Sequence, residues 1–144
     1  MKYIIFAGLL LFLANCAVQS QEPLHMDNAI HTLENTNWQA TAINNGRGAI
    51  VPSQGSRSIT ARFANGSIQG NGGCNQFSAT YTRNSGQLHI AQLRSTQRAC
   101  AEASLMEQEA YFLKALTRVS QYQLSSGQLK LLDNNGLVMV EFAK

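Results

Sequence analysis

Gly70-Asn71-Gly72-Gly73-Cys74-Asn75-Gln76-Phe77-Ser78-Ala79-Thr80-Tyr81 is the stretch on which the reading of this chain turns. Gly70, Gly72 and Gly73 free the backbone for positive φ or for close approach to a neighbouring strand. Asn75 carries a side chain suited to bonding turn backbone. Phe77 and Tyr81 then point the same way along an extended segment, toward a core. The stretch reads as a sharp bend feeding a half-buried strand. A second cysteine follows in Ser95-Thr96-Gln97-Arg98-Ala99-Cys100.

The third cysteine lies near the start. Met1-Lys2, an apolar run over residues 3–13 and then Ala14-Asn15-Cys16 have the anatomy of an export signal. The run is too short for a permanent membrane helix, which needs about 20 residues. Leu13-Ala14-Asn15-Cys16 resembles a bacterial lipoprotein box, which implies a signal peptide over 1–15 and lipidation of Cys16. The plainer reading is an ordinary cleaved signal with Cys16 incidental. Three cysteines in an exported chain leave one unpaired, and acylation of Cys16 accounts for it. Cys74 and Cys100 are then free to form a disulfide in an oxidising compartment such as the periplasm. Such a loop closure stabilises a small domain by about 3–4 kcal/mol on the chain-entropy account.

The chain has 144 residues, enough for one domain. Eleven Lys and Arg against eight Asp and Glu give a formal charge of +3, and the basic residues are dispersed. That pattern speaks against nucleic acid, which attracts a clustered stripe. Residues 16–32 are polar and without sustained period, and read as a lipid-anchored tether. From residue 33 onward, Asn65-Gly66 and Asn135-Gly136 read as two-residue hairpin turns and Ser85-Gly86 and Ser126-Gly127 as looser ones, each between short alternating runs. Trp38 opens the sheet, and residues 44–58 read as a long loop. Ser104-Leu105-Met106-Glu107 reads as a capping box starting a helix that runs to about Arg118. Leu105, Phe112, Leu116 and Val119 would face the sheet, and Glu107, Glu109, Lys114 and Arg118 water.

With these elements placed, Gly73-Cys74-Asn75-Gln76-Phe77-Ser78-Ala79-Thr80-Tyr81, Thr96-Gln97-Arg98-Ala99-Cys100 and Glu107-Gln108-Glu109-Ala110-Tyr111-Phe112-Leu113 resemble the META domain family of HslJ-like heat-shock proteins, in lipoprotein form. The resemblance covers residues 33–144. It implies an α+β fold, a mainly antiparallel, curled, barrel-like sheet of about 7–8 short strands packed with one helix. It also implies a family without established catalytic machinery. Gly72, Gly73, Asn75, Phe77, Tyr81 and Thr96 are then structural motif residues.

Chemistry has little else to stand on. The glycine run lacks the Lys-Ser/Thr ending of a phosphate loop. Cys74 with His89 and Asn75 would make a thiol-enzyme set only if Cys74 were unpaired. His25, His31 and His89 lack metal-ligand spacing, so neither a metal nor a cofactor is expected. Arg94 and Arg98 flank the second motif as a candidate binding edge, against the plainer reading of strand-edge charges that discourage aggregation. The expectation is a non-enzymatic outer-membrane lipoprotein domain facing the periplasm. It would be held to the membrane through Cys16 and bind or support an envelope protein or small apolar ligand, in a stress response. The alternative is a secreted inhibitor or decoy that engages a host or competitor enzyme through residues 44–58.

Overall fold

A computed structural model of the protein describes residues 32–54 and 57–144. The expected signal peptide, Cys16 and all of the tether before Thr32 lie outside the described residues. The elements run β1 (Asn37–Asn44), β2 (Ile50–Pro52), β3 (Thr60–Ala64), β4 (Ser67–Asn71), β5 (Gln76–Asn84), β6 (Gln87–Ser95), α1 (Ala103–Leu116), β7 (Gln121–Ser125), β8 (Gln128–Leu132) and β9 (Val138–Ala143). Strand neighbours follow the order β2-β1-β3-β4-β5-β6-β7-β8-β9, and a further pairing of β1 with β9 closes the sheet into a ring. All the strand pairings are antiparallel. The α+β class and the curled sheet are as expected. The ninth strand is β2, which lies inside the segment read as a loop and pairs Ile43 with Val51.

Turn chemistry sets the hairpins. Asn65-Gly66, Ser85-Gly86 and Ser126-Gly127 all hold positive φ at both central residues (49° and 73°, 44° and 86°, 47° and 78°). That is the twist-matched two-residue turn, so the Ser-Gly pairs are as tight as the Asn-Gly one. Asn135-Gly136 differs from its expected two-residue turn. The β8–β9 connection is longer and is organised by Asp133, whose Oδ1 accepts from the N–H groups of Asn135 and Leu137 at 2.9 Å each. Asp133 is buried, and Arg118 Nη2 reaches its Oδ2 at 3.2 Å.

Inside the ring the side chains close-pack. Trp38, Phe63, Phe112 and Phe142 are fully buried, and Trp38 Nε1 donates to the carbonyl of Leu33 at 3.0 Å, which fixes it as a core anchor. Phe112 of α1 meets Phe77 and Phe142 edge-on at centroid distances of 5.2 and 6.4 Å. Leu105, Phe112, Leu116 and Val119 are buried, as their spacing predicts.

Two expectations for the helix fail. Its N-cap is Glu102, with no side-chain capping bond, so the Ser104–Glu107 box does not form. The bridge at Cys100 fixes the chain just ahead of the helix, and the first turn starts before Ser104. Glu107 instead accepts from the Tyr111 hydroxyl at 2.7 Å. Glu109, expected in water, is 93 % buried, because it faces the glycine bend.

Candidate functional site

The glycine bend joins β4 to β5, and each motif residue has a separate geometric reason to be there. A Cβ on Gly70 would stand 1.9 Å from the carbonyl oxygen of Thr60 on the neighbouring strand. A Cβ on Gly72 would stand 2.8 Å from Oε2 of Glu109. Gly73 holds φ at +110°, and its N–H donates to Asn71 Oδ1 at 2.7 Å. The turn backbone is thus satisfied by Asn71, the role the sequence suggested for Asn75.

Asn75 looks the other way, across to the segment before the helix. Its Oδ1 accepts from Arg98 N–H at 2.7 Å and from Thr96 Oγ1 at 2.9 Å, and its Nδ2 donates to the Arg98 carbonyl at 3.3 Å. Glu109 completes the cluster from α1. Its Oε2 accepts from the backbone N–H groups of Cys74 at 3.0 Å and Asn75 at 2.5 Å, and its Oε1 accepts from Asn75 Nδ2 at 2.7 Å. Cys74 and Cys100 are joined by a disulfide with Cα atoms 5.9 Å apart. Bend, pre-helix segment and helix are therefore held together by one covalent bond and six hydrogen bonds from two buried side chains.

Sequence reasoning missed Glu109, although a signal was present. Leu105, Glu109, Phe112 and Leu116 recur at the spacing of one helix face, so a carboxylate stands in the middle of an apolar stripe. A buried carboxylate requires hydrogen-bond donors, and the bend supplies them. Phe77 and Tyr81 are buried as their alternation predicts. The Tyr81 hydroxyl donates to Glu34 Oε1 at 2.5 Å, and Arg83 Nε stands 3.6 Å from the same oxygen. Burial first, and then the Glu34 carboxylate, pushes the Tyr81 phenol up to about 12. The Tyr111 phenol is also raised, chiefly by its bond to Glu107.

Arg94 and Arg98 do not share a cavity. Arg94 lies in a depression of about 330 Å³ with Gln69, Gln76 and Ser78. Arg98 lines a groove of about 460 Å³ that runs between the end of β6 and Met106, Ala110 and Leu113 of α1. It also lines a cavity of about 340 Å³ with Arg57 beside the disulfide. A further cavity of about 460 Å³ lies between β2 and α1, bounded by Ile43, Val51, Pro52, Gln108 and Tyr111. Gln108 Oε1 accepts from Gln54 N–H at 2.5 Å there, and its buried Nε2 has no partner among the described residues.

The META domain family model matches residues 31–144. The chain belongs to the META domain family. No curated protein matches it. Among solved structures this META domain is similar to a protein from Burkholderia xenovorans, with a TM-score of 0.62 and 25% identity over 77% of this chain and 82% of that one. A DUF4847 family protein from Bacteroides vulgatus shares the fold, at a TM-score of 0.52 and 14% identity, over 81% of this chain and 96% of that one.

Proposed function

We propose that this META domain is the non-enzymatic, membrane-tethered part of an envelope lipoprotein that binds or supports another envelope component under stress. The observation that carries the reading is the commitment of the motif's reactive groups. Cys74 is bridged to Cys100, and the polar atoms of Asn75, Thr96 and Glu109 bond one another or backbone. A bridged cysteine offers no thiolate for nucleophilic catalysis. The close-packed interior supports a protein partner engaged at the surface over a small apolar ligand held inside the ring. Export supports the oxidised pair, and the sequence around Cys16 supports the anchor.

Palmitate labelling of the full chain in a bacterial host, with membrane fractionation, tests the anchor. Label and membrane association are expected in the wild type and lost in Cys16→Ala. Unlabelled protein found free in the medium would favour the secreted inhibitor instead. Free thiols at Cys74 and Cys100 in exported protein would remove the scaffold on which the non-enzymatic reading stands.

A further inference from the structure

The barrel is open on one flank. β6 spans Gln87–Ser95, yet its only pairing with β7 among the described residues is Gln87 with Gln121. The register explains this. β7 runs antiparallel from that point past the β5–β6 turn, with Tyr122 N–H reaching Gly86 O at 2.9 Å, so it leaves β6 at its first residue. Leu88 N–H is taken by Ser120 O at 3.0 Å. Beyond it the two-residue turn and strand alternation aim the backbone N–H and C=O of Ile90 away from β5, toward the open flank. A bulge opposes Gln92 and Leu93 to Ala79, with Gln92 at φ 53°. After it, Thr96 N–H bonds Gln76 O at 3.0 Å, which places Ser95 on the open side.

The chain then turns into α1, which carries it from the end of β6 back to the start, where Ser120 meets Leu88. Of β6 itself Ser95 lines the groove, residues 96–99 continue its wall ahead of the helix, and the helix packs on β1 and β9. The helix presents Met106, Ala110 and Leu113 to the groove, a second stripe beside the buried one. Met106 is 45 % exposed, one of two exposed large apolar side chains among the described residues. The stretch of helix that lines the groove, Met106 to Leu113, is about 10 Å long, room for about three residues of extended chain.

We propose that this groove docks an acidic, extended segment of a partner polypeptide, which adds as a strand to β6 and lays alternate apolar side chains against Met106, Ala110 and Leu113. An unpaired strand edge matches a main chain, whose donors and acceptors alternate at the same period. The charge of the segment follows from the groove's end. Arg98 lines it, Arg94 stands on the outer face of the same strand end, and neither has an ion-pair partner among the described residues. The one carboxylate in the wall, Glu109, is turned inward onto the glycine bend.

This inference rests on the binding role proposed above but is tested without reference to the anchor. The full chain, purified in detergent, is titrated with a short blocked peptide alternating valine with glutamate, with its lysine counterpart, and with a form N-methylated on alternate amides. The glutamate peptide is expected to bind about tenfold tighter than the lysine one. It should slow amide exchange at Ile90 and Ser95 and lose affinity when N-methylated. Arg98→Glu should reverse the charge preference, and Ala110→Gln, on an exposed helix position, should weaken binding with the melting temperature unchanged. No protection along β6, binding by both variants equal to that of the wild type, or a concentration-dependent dimer that protects β6 without peptide would each overturn the proposal. Wild-type protein that takes up no palmitate in the earlier experiment would overturn the anchor and leave this result standing.

Discussion

Glu109→Gln is the substitution that most directly probes how the bend is held. Hydrogen bonds to a charged acceptor contribute about 1.5–3 kcal/mol each, and Glu109 accepts three. The amide retains shape and one oxygen. With that oxygen under the N–H groups of Cys74 and Asn75, its NH2 must face Asn75 Nδ2, donor against donor. Asn75 cannot answer by flipping its amide, because Oδ1 already holds Arg98 N–H and Thr96 Oγ1. The expected cost is one charge-assisted bond plus the repulsion, about 2–3 kcal/mol. Glu109→Ala orphans all three donors, and because neighbouring bonds do not add independently we expect about 3–4 kcal/mol rather than the full sum. Either is a large share of the roughly 5–15 kcal/mol that keeps a domain folded. Urea unfolding of the oxidised full chain, followed by tryptophan fluorescence from the buried Trp38, reads the difference as a shift in midpoint at constant slope. Glu107→Gln, on the exposed side of the same helix, should stay within about 0.5 kcal/mol of wild type. If Glu109→Gln does the same, the carboxylate is not what holds the bend, and the site's architecture has been misread.

Gly70→Ala should cost about 3 kcal/mol, since its Cβ would sit within 1.9 Å of the Thr60 carbonyl and β3 must move; a thermal melt checks it. Replacing both Cys74 and Cys100 by Ala should cost about 3–4 kcal/mol through loss of a loop constraint spanning 26 positions, read by urea midpoint and compared with reduced wild type. Tyr81 gives a pH dependence. Its folded value is raised to about 12 from an unfolded value near 10, so the contribution is fully present below pH 10 and is lost as pH rises through 12. Water reaches the phenol tip and its Glu34 partner and screens the interaction, so the loss amounts to about 1 kcal/mol, and Tyr81→Phe should remove that slope while leaving the rest of the profile in place.

Local rules carry far in this chain where a single residue type decides the geometry. The three Xaa-Gly turns require positive φ at adjacent positions, and strand alternation then assigns Phe77, Tyr81 and Leu88 inward without tertiary information. What escapes are features made by contact between distant segments. β2 is three residues long and exists because Ile43 and Val51 come to face each other. Asp133 builds its turn through donors two and four residues on and an arginine from the end of the helix. Glu109 carries the helix-face spacing of a core residue, but its donors lie some 35 positions earlier in the chain. The chemical type of each was legible, and the partner was not.

The closed and open parts of the barrel share one cause. Cys100, bridged to the bend, ends the extended path just after β6, and the helix begins at once, so the polypeptide reaches β7 through a helix packed on β1 and β9 and no strand follows the outer edge of β6. A helix satisfies its own backbone and offers nothing to a strand edge. The staple that stabilises the bend thus also leaves the outer edge of β6 without a strand partner beyond Leu88. Reduction of Cys74–Cys100 should therefore act on two observables at once. It should lower stability, and it should also weaken the glutamate-peptide contact, because the wall formed by Met106, Ala110 and Leu113 is set by where the helix starts. A reduced protein that stays folded and binds the peptide as well as the oxidised one would separate the two, and would show that hydrogen bonds through Asn75 and Glu109 alone set the helix position.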